Sequence, residues 1–479
     1  MEHQPGVQTP PSKRHKLARK VVWLIALGYA LAALLPCIFV PSPPRALAAT
    51  AMAETTAAYD RATIVPTGPE ALDVRLNLIA NAKHSLVVGT YLFANDESGL
   101  NIASALLSAA DRGVRVRVLT DGLVGGGNLL GSTLGPVLGS HPNVELRFYN
   151  PVNPLSPWGL NARYHEKYVI ADDAVFVLGG RNISNEFLTP PEHPAYNYDV
   201  DVLVYAEQPS SASAVTALNA YFDELWSSGS CSAQYTAVPG WQQGAADALR
   251  GDLRTRYAAL CASHASAMAP ADWAAHTVPI EGSVLLHNPI NPSVKQPALW
   301  AELASLMRSA KQRIWIQTPY LALNSQMYAD LQAAADAPSE LVILTNSKAS
   351  GNNVVAESDA LIHRGMLTRM DAALYETQNN RSMHTKALLL DDDLSVFGSF
   401  NFDMRSAYLN TELMLVVRSK AVNQLLEAQM LAMRAESLPV LANGSYGENG
   451  GVLPKETALG KTILLYLMSP FTALMRFLI

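Results

Sequence analysis

One charged motif occurs twice in the sequence, and this internal repeat limits the possible fold more than any other feature. The first copy, YHEKYVIADDAVFVLGGRN, runs from Tyr164 to Asn182, and the second, MHTKALLLDDDLSVFGSFN, runs from Met383 to Asn401. In both copies the histidine precedes a lysine by two positions and an asparagine by seventeen, and the lysine precedes an aspartate by five. Self-similarity at fixed spacing indicates a duplicated structural unit. We therefore expect two similar lobes, each carrying one copy of the motif.

The elements that precede each motif are repeated in the same order. Each copy has an apolar run, a stretch with helical periodicity and a second apolar run, and continuous apolar runs are typical of strands in a sheet covered on both faces. The predicted elements are strands at 83–92 and 311–320, helices at 100–112 and 326–335, and strands at 114–120 and 341–345. Alternating strands and helices predict an α/β fold.

The repeat also sets the expected domain boundaries. We place the first αβ lobe at residues 60–240 and the second at 280–440, each with a mixed sheet flanked by helices. Residues 241–279 lie in a stretch rich in Ala, Ser and Gly, and this composition favours a connecting segment.

The histidine and lysine of each motif form a pair suited to a phosphodiester. Side chains two positions apart on a strand point to the same face, so His165 projects with Lys167 and His384 with Lys386. A neutral imidazole can attack phosphorus, while a protonated one gives a proton to the leaving oxygen. Ammonium groups neutralise the charge that rises on the phosphate oxygens. Each pair is therefore suited to phosphodiester chemistry.

Other polar residues of the motifs have predicted supporting roles. Asp172 and Asp391 fall at odd spacing from their lysines, beyond the strand, so we interpret them as structural groups that fix the hairpin and the motif geometry. The predicted contacts to the phosphate are the amides of Asn182 and Asn401 and the hydroxyl of Ser399.

A catalytic histidine needs a partner on its other ring nitrogen, and acids on the strand after each motif are candidates. Glu412, in the segment NTELMLVV, is predicted to serve the second lobe. Asp201, in YDVDVLVY, is predicted to serve the first, with Asp199 as the alternative.

The composition sets aside several other classes of site. No group of His, Cys and carboxylates has the spacing of metal ligands, so we predict no metal and no cofactor. Outside residues 1–50 the chain has 29 Lys and Arg against 40 Asp and Glu, and an acidic body disfavours nucleic acid as a partner. The three cysteines are interpreted as free thiols, although export would make a Cys231–Cys261 disulfide plausible.

The N-terminal 50 residues contain a signal for membrane insertion or export. Five basic residues between Lys13 and Lys20 precede twenty almost wholly apolar residues, Val21 to Val40, and small-residue triplets at 46–48 and 51–53 follow. A signal peptide and an uncleaved anchor are both consistent with this pattern. Either one would keep the basic end in the cytoplasm and place the body outside.

A second apolar stretch lies at the C-terminal end, at residues 455–479. The run KTILLYLMSPFTALMRFLI has no acidic residue, and Pro470 divides it into two short pieces. This pattern favours a helix pair lying at a membrane interface. A terminal helix that closes the protein core is the alternative.

The paired motifs resemble those of the phospholipase D superfamily, called HKD motifs. Within it the chain looks similar to bacterial cardiolipin synthases of the C type. The segments that carry this likeness are AADRGVRVRVLTDG at 109–122, LGGRNISNEF at 178–187, LTNSKASGNNVVAESDALIHRGM at 344–366 and FGSFNFDMRSAYLNTEL at 397–413. The resemblance implies two lobes about a pseudo-twofold axis, one shared metal-free site and a covalent phosphatidyl-histidine intermediate. By family analogy His165 is the nucleophile and His384 the acid.

The resemblance also implies the reaction and its partners. A cardiolipin synthase-like phosphatidyltransferase would act on phospholipids such as phosphatidylglycerol and phosphatidylethanolamine, at a membrane surface of the bacterial cell envelope, on the periplasmic or outer side of the cytoplasmic membrane. The alternatives are a phospholipase D that hydrolyses head groups, an HKD endonuclease and a lipid-binding pseudoenzyme. An apolar C-terminal segment argues against the nuclease, and two unbroken motifs argue against the pseudoenzyme.

Overall fold

The structure is a computed structural model that describes residues 13–46, 59–208, 210–337 and 340–479, with the backbone alone for 13–18. The predicted small-residue triplets at 46–48 and 51–53 lie almost entirely outside the described residues. A long helix comes first, α1 Lys13–Ile38. It is followed by two αβ halves that contain the two motifs.

The first half is built on a nine-stranded mixed sheet. Its strands are β1 Asp60–Val65, β2 Ser85–Thr90, β3 Arg115–Asp121, β4 Val144–Tyr149, β5 Lys167–Ala171, β6 Val175–Gly179, β7 Asp201–Ala206, β8 Cys231–Gln234 and β9 Val278–Pro279. The strand order is β8-β4-β3-β2-β5-β6-β7-β1-β9. Strands β2, β3 and β4 run parallel, and the remaining pairs are antiparallel.

The second half repeats this arrangement in an eight-stranded sheet. The strands of this half are β10 Gly282–His287, β11 Arg313–Gln317, β12 Leu321–Ala322, β13 Glu340–Asn346, β14 Ala373–Thr377, β15 Ala387–Leu390, β16 Leu394–Gly398, β17 Phe402–Asp403, β18 Leu413–Arg418 and β19 Ser437–Pro439. The order is β10-β18-β16-β15-β11-β13-β14-β19, while β12 and β17 form a separate pair. Apart from β9 the two sheets have the same order and the same directions, which confirms the predicted duplication.

Helices pack on both sheets, and the inner faces of the two sheets share one apolar layer. Those of the first half are α2 Gly68–Asn81, α3 Glu97–Asp111, α4 Val124–Leu130, α5 Leu134–Gly139, α6 Asn185–Leu188, α7 Ala214–Ser227, α8 Gln243–Ser263, α9 Ala265–Met268 and α10 Trp273–His276. Those of the second half are α11 Ala298–Ser309, α12 Ser325–Ala335, α13 Val354–Leu367, α14 Met404–Tyr408, α15 Lys420–Ala435 and α16 Leu459–Leu474. Each sheet has its own outer apolar core, and a third core joins the inner faces of both sheets.

Local sequence explains why equivalent helices begin at equivalent places. The side chain of Asp96 accepts a hydrogen bond from Gly99 N at the start of α3, and Asn324 accepts one from Met327 N at the start of α12. Both residues are good N-caps because a short polar side chain satisfies an N–H group that the helix leaves unpaired. The cap therefore starts the helix at the equivalent position in both halves.

The predicted connecting segment is more ordered than its composition suggested. Most of residues 241–279 forms α8, whose buried residues Leu253 and Leu260 pack into the outer core of the first half. The segment ends in β9, which pairs with β1. Ala-rich composition is equally compatible with a helix, so the first lobe extends almost to the first strand of the second.

The two terminal helices expose unusually apolar surfaces. Residues Arg19–Ile38 form a 20-residue helix of mean hydropathy 2.3, long and apolar enough to cross a membrane. Helix α16 packs against α13 through an inner side that includes buried Leu465 and Thr472, while Phe471 and Leu474 are 69% and 77% exposed. Each terminal helix therefore has more apolar surface facing outward than a water-exposed helix normally shows.

Candidate active site

The two motifs meet where the halves face each other. His165 lies just before β5 and His384 just before β15, and these central strands pair with β2 and β11. Both histidines line one cavity of about 300 Å³. The predicted shared site therefore exists as a single space between the lobes.

Each motif aspartate fixes a turn to the neighbouring strand of its own sheet and lies away from the cavity lining. Asp172 and Asp391 occupy the turns after β5 and β15 with φ of +53° and +51°. The carboxylate of Asp172 accepts hydrogen bonds from the backbone N–H groups of residues 83–85, at the start of β2. Asp391 does the same for residues 311–313, at the start of β11. Asp is among the residues that tolerate a left-handed turn, so both side chains fix the hairpin as the sequence predicted.

Each histidine is oriented by an acid from the opposite lobe. Nδ1 of His165 lies 2.9 Å from Oε1 of Glu412, and Nδ1 of His384 lies 2.9 Å from Oδ2 of Asp199. Both acids are almost completely buried. We assign the Nδ1 proton to these hydrogen bonds because a carboxylate can only accept. Nε2 is then the unprotonated nitrogen, as in-line attack on phosphorus requires.

We expected Glu412 to orient the histidine of its own lobe, His384. This prediction is wrong, because Glu412 contacts His165 of the other lobe. The cause is a pair of parallel bridges between lobes, Tyr164 to Thr411 and Tyr198 to Met383. Each bridge brings the residue before a motif histidine beside the residue before an acid. The two bridges are reciprocal, as a pseudo-twofold axis requires.

The prediction that Asp201 orients a histidine is wrong, and the alternative, Asp199, occupies the orienting position. Gly179 and Gly398 are equivalent positions of the two motifs. Gly179 pairs with Asp201 in the first sheet, and Gly398 pairs with Met414 in the second, so Asp201 is equivalent to Met414. Two positions earlier, Asp199 is therefore equivalent to Glu412. Asp201 instead forms ion pairs with two buried arginines, at 3.0 Å to Arg75 and 3.3 Å to Arg181.

A sequence signal could have selected the correct acid. An asparagine stands two positions before each orienting residue, in Asn197-Tyr198-Asp199 and Asn410-Thr411-Glu412. The Nδ2 group of Asn410 donates to Glu412 at 3.2 Å. Nothing equivalent precedes Asp201.

Burial keeps both histidines neutral in the empty cavity. It is the main cause that lowers the pKa of His384 to about 3, with the charge of Lys386 adding to it. Burial and the charge of Lys167 lower the pKa of His165 well below its ordinary value. A bound phosphodiester anion would favour the protonated form of either ring.

The lysines are also buried and lie close to their own histidines. Nζ of Lys167 donates to the backbone carbonyl of His165, and Nζ of Lys386 donates to that of His384. Burial lowers the pKa of Lys167 to about 7 and that of Lys386 to about 8. A bound anion would stabilise the charged forms of both lysines and so raise their pKa values.

Of the predicted phosphate contacts, the asparagines line the cavity and the serine does not. Oδ1 of Asn182 accepts from Leu92 N, so its Nδ2 group is the one left to contact an anion, and Nδ2 of Asn401 lies 3.2 Å from the hydroxyl of Tyr320. Ser399 donates its hydroxyl to Oε2 of Glu412 at 2.5 Å. The serine therefore supports the orienting acid and does not contact the phosphate.

Several residues that line the cavity or pack against its histidines escaped the sequence interpretation. The ring of Tyr91 packs edge-on against His165 at 5.0 Å, and Phe187 packs against His384 at 4.9 Å. Arg163 and Arg405 also line the cavity. Arg163 lies two positions before a motif histidine, which was an available signal, whereas nothing in the spacing marks Tyr91 or Phe187.

The described residues also bear on metals and disulfides. In the part of the chain that the structure describes, no group of three or more His, Cys, Asp and Glu side chains could hold a metal ion. Cys231 and Cys261 are both free.

The fold is that of a known class. The structure of phosphatidylserine synthase from Haemophilus influenzae Rd KW20 superposes with a TM-score of 0.61 at 14% identity, covering 87% of this chain and 95% of that one. The two structures therefore share a fold of two lobes with the same mixed sheet, and in this chain the histidines of both motifs line the cavity between the lobes.

Comparison of sequences gives the family within this class. A family model described as "Cardiolipin synthase, PLD-like domain" matches residues 76–226 and 303–434. The chain is 28% identical to Cardiolipin synthase C of Escherichia coli (strain K12) in an alignment 413 residues long that covers 76% of this chain and 82% of that protein. It is 27% identical to Cardiolipin synthase 1 of Bacillus cereus over 374 residues, 77% of this chain and 66% of that one. The chain belongs to the cardiolipin synthase PLD-like domain family.

Proposed function

We propose that this protein is a phosphatidyltransferase that joins phospholipids as a cardiolipin synthase does. The observation that carries the proposal is the pair of histidines that line one cavity. Each is oriented by a buried acid and has a buried lysine bound to its own backbone carbonyl. This arrangement suits transfer in two steps, in which one imidazole becomes the temporary carrier of the phosphatidyl group.

The first step transfers the phosphatidyl group to the protein. The bound phosphodiester anion favours the protonated form of His384. Nε2 of His165 then attacks phosphorus, the bond from phosphorus to the head-group oxygen breaks, and Nε2–H of the His384 imidazolium gives its proton to that oxygen. The products are phosphatidyl-His165 and a free head-group alcohol. Lys167 and Lys386 balance the charge on the non-bridging oxygens.

The second step returns the protein to its starting state. His384, now neutral, takes the proton of an acceptor hydroxyl, whose oxygen attacks phosphorus and releases His165. A hydroxyl on a second phospholipid gives a cardiolipin-like product, and water gives hydrolysis. One phosphorus–oxygen bond is exchanged for another, and no oxidant or cofactor is consumed.

Different partners support different roles for the histidines. His384 faces Asp199, and although burial raises the pKa of that acid, the hydrogen bond and charge of His384 outweigh it, so the pKa lies below its ordinary value. Burial raises the pKa of Glu412, the partner of His165, to about 7. An ionised Asp199 stabilises an imidazolium better than a partly protonated Glu412 does. This supports His384 as the acid and His165 as the nucleophile.

The terminal helices support a place in the bacterial cell envelope. Helix α1 would anchor the chain with its basic end in the cytoplasm, which puts the catalytic body on the periplasmic or outer side of the cytoplasmic membrane. Lys461, on α16, pairs with Glu357 at 2.9 Å, and Arg476, just after the helix, pairs with Asp359 at 2.9 Å, so the charged groups of this segment face α13. The outward apolar face would then lie in the membrane interface beside the cavity.

The principal test is a product analysis. Purified full-length protein in detergent micelles is incubated with phosphatidylglycerol and phosphatidylethanolamine, and lipid products are identified by mass spectrometry. We expect a lipid with two phosphatidyl groups, formed with release of a free head group. Phosphatidic acid as the sole product would make the protein a hydrolase, and unchanged lipids would refute an enzymatic role.

The role of α16 has its own test. Leu467→Gln and Phe471→Gln change exposed side chains and leave the contacts to α13 in place. Burying one such side chain in an apolar phase is worth roughly 1.5–3 kcal/mol, so the double variant should bind anionic vesicles at least about tenfold more weakly. Helix α1 would bind the vesicles by itself and mask the contribution of α16. The double variant and the protein with unaltered Leu467 and Phe471 are therefore compared after removal of residues 1–46 from each. Equal binding of the two would refute the interface role.

A further inference from the structure

The two sides of the cavity differ in charge although the lobes are related by a pseudo-twofold axis. Arg163 and Arg405 line the cavity. The axis relates Arg163 to Ser382 and Arg405 to Glu186, because equivalent motif residues are 219 positions apart. The arginines therefore make one end of a duplicated cavity cationic and leave the other without an equivalent charge.

Arg163 forms the fixed part of this cationic end. It is 2% exposed, and its guanidinium lies 3.6 Å from the buried carboxylate of Asp121. Its Nη1 group faces Asp121, and its Nη2 group donates to Asn150 O at 3.0 Å and to Gly159 O at 3.4 Å, which leaves Nε without a hydrogen-bond partner. Buried N–H groups without an acceptor are rare in proteins and indicate an absent partner.

Arg405 supplies a charge that forms no direct ion pair, although Asp403 interacts with it at longer range. Its Nη1 group donates to Leu478 O at 2.9 Å and its Nη2 group to Asn161 O at 3.3 Å. Carbonyl acceptors orient the guanidinium but leave its full positive charge. Among the residues that the structure describes, Arg405 forms no ion pair.

The acidic residues of the cavity wall are already engaged. Asp403 accepts from Ser406 N at 2.6 Å and so caps α14, and Glu357 pairs with Lys461 at 2.9 Å. Glu357 is thus neutralised by Lys461, and Asp403 attracts Arg405 without forming an ion pair with it. The cationic end therefore has room for an anion from outside the protein.

One phosphate does not account for this charge. The reacting phosphate already has Lys167 and Lys386, with Asn182 and Asn401 as amide donors. Each monoanionic phosphodiester needs about one positive charge for balance, and the two lysines meet that need. A further guanidinium pair is suited to a second phosphate, because arginine binds phosphate oxygens through two parallel N–H groups.

We propose that Arg405, backed by Arg163, forms a subsite for a second phosphate, the one that belongs to the acceptor molecule. This deepens the proposed function and rests on it. An acceptor alcohol that carries its own phosphate, as the head group of an acidic phospholipid does, would be preferred over an alcohol of the same shape without one. The same contact would disfavour water, because water gains nothing from the arginines.

Two soluble acceptors isolate the phosphate from all membrane effects. Full-length protein in micelles receives phosphatidylglycerol as donor, with deuterated glycerol and deuterated glycerol 3-phosphate in equal concentration. Mass spectrometry gives the ratio of the two labelled products from a single reaction. We expect the unaltered protein to favour glycerol 3-phosphate.

Substitution of Arg405 should abolish this preference. Loss of a charge-assisted hydrogen-bonded pair should lower the product ratio about tenfold in Arg405→Gln. Arg405→Lys should give an intermediate ratio because lysine keeps the charge and loses the paired geometry. The matched control is Glu186→Gln, at the equivalent position of the other lobe, which should hold the ratio within about twofold since an exposed charge is largely screened.

The outcomes separate this subsite from the function on which it rests. An unaltered ratio in Arg405→Gln, or a loss of both products by the same factor, would overturn the subsite. So would an unaltered protein with no preference between the two acceptors. If that protein transfers to neither alcohol and makes no cardiolipin-like lipid, the transferase proposal fails and the subsite falls with it.

Discussion

The half-site of His165 and that of His384 have the same backbone and different chemistry. Glu412, behind His165, accepts hydrogen bonds from Ser399, Ser406 and Asn410. Asp199, behind His384, has Gly180 at the position equivalent to Ser399, and a Cβ atom there would lie 2.4 Å from its carboxylate. The shorter acid thus sits directly against the backbone, while the longer one is held by side-chain donors. Duplication supplied two equal histidines, and their surroundings made them unequal.

The largest effects should come from the histidines themselves. His165→Ala and His384→Ala should each lower lipid turnover by about a thousandfold or more, since they act as a unit. They should differ with a p-nitrophenyl phosphodiester, whose leaving group needs no proton. His384→Ala should release a burst of nitrophenol and stall as an acid-labile, alkali-stable adduct, whereas His165→Ala should release none. A burst from His165→Ala would reverse the roles, and no adduct in any variant would refute the covalent mechanism.

Substitution of the orienting acids should cause the next largest losses of activity, and the two losses should differ. Asp199→Asn removes an ionised partner and should lower kcat about a hundredfold or more, while Glu412→Gln should cost less because its pKa is already raised to about 7. Asp201→Asn is the control. It should lower the melting temperature by leaving Arg75 and Arg181 without their shared partner, with a smaller loss of kcat in the folded fraction. Equal losses from Asp199→Asn and Glu412→Gln would remove the distinction between the half-sites.

The lysines predict a smaller, pH-dependent effect. Their charged forms are needed, and burial lowers the pKa of Lys167 to about 7 and that of Lys386 to about 8. The value of kcat/KM should therefore fall as pH rises through this range, with Lys167 losing its proton first. Arginine stays protonated, so the residual activity of Lys167→Arg should keep its alkaline limb to higher pH, while Lys386→Arg should not. Matching profiles for both variants would show that neither lysine sets the limb.

The smallest effect should come from Ser399. Ser399→Gly makes the second half-site resemble the first and removes one hydrogen bond to Glu412, worth about 1 kcal/mol, or about fivefold in kcat. Gly180→Ser, the reverse change, should be worse because its Cβ would displace Asp199. A tolerated Gly180→Ser together with an inactive Ser399→Gly would contradict the geometry of both half-sites.

The sequence predicted the local parts of this site and failed where distant segments meet. Strand and helix positions agreed within a few residues because they depend on apolar periodicity along the chain. The turn roles of Asp172 and Asp391 also followed from local spacing. The partners of the histidines did not, because the Tyr164–Thr411 and Tyr198–Met383 bridges join segments more than 180 positions apart in sequence. Ser399 was misassigned for a related reason, since its direction depends on where Glu412 lies.

The reciprocal bridges have a consequence for the timing of activity during synthesis. Residues of the first lobe are synthesised first, yet His165 has no carboxylate partner until Glu412 has been synthesised and the second lobe has docked. An incomplete chain emerging at the membrane therefore holds an unoriented imidazole and cannot yet act on the lipids around it. Catalytic competence becomes a property of the finished chain, which protects the surrounding bilayer from nascent and truncated copies.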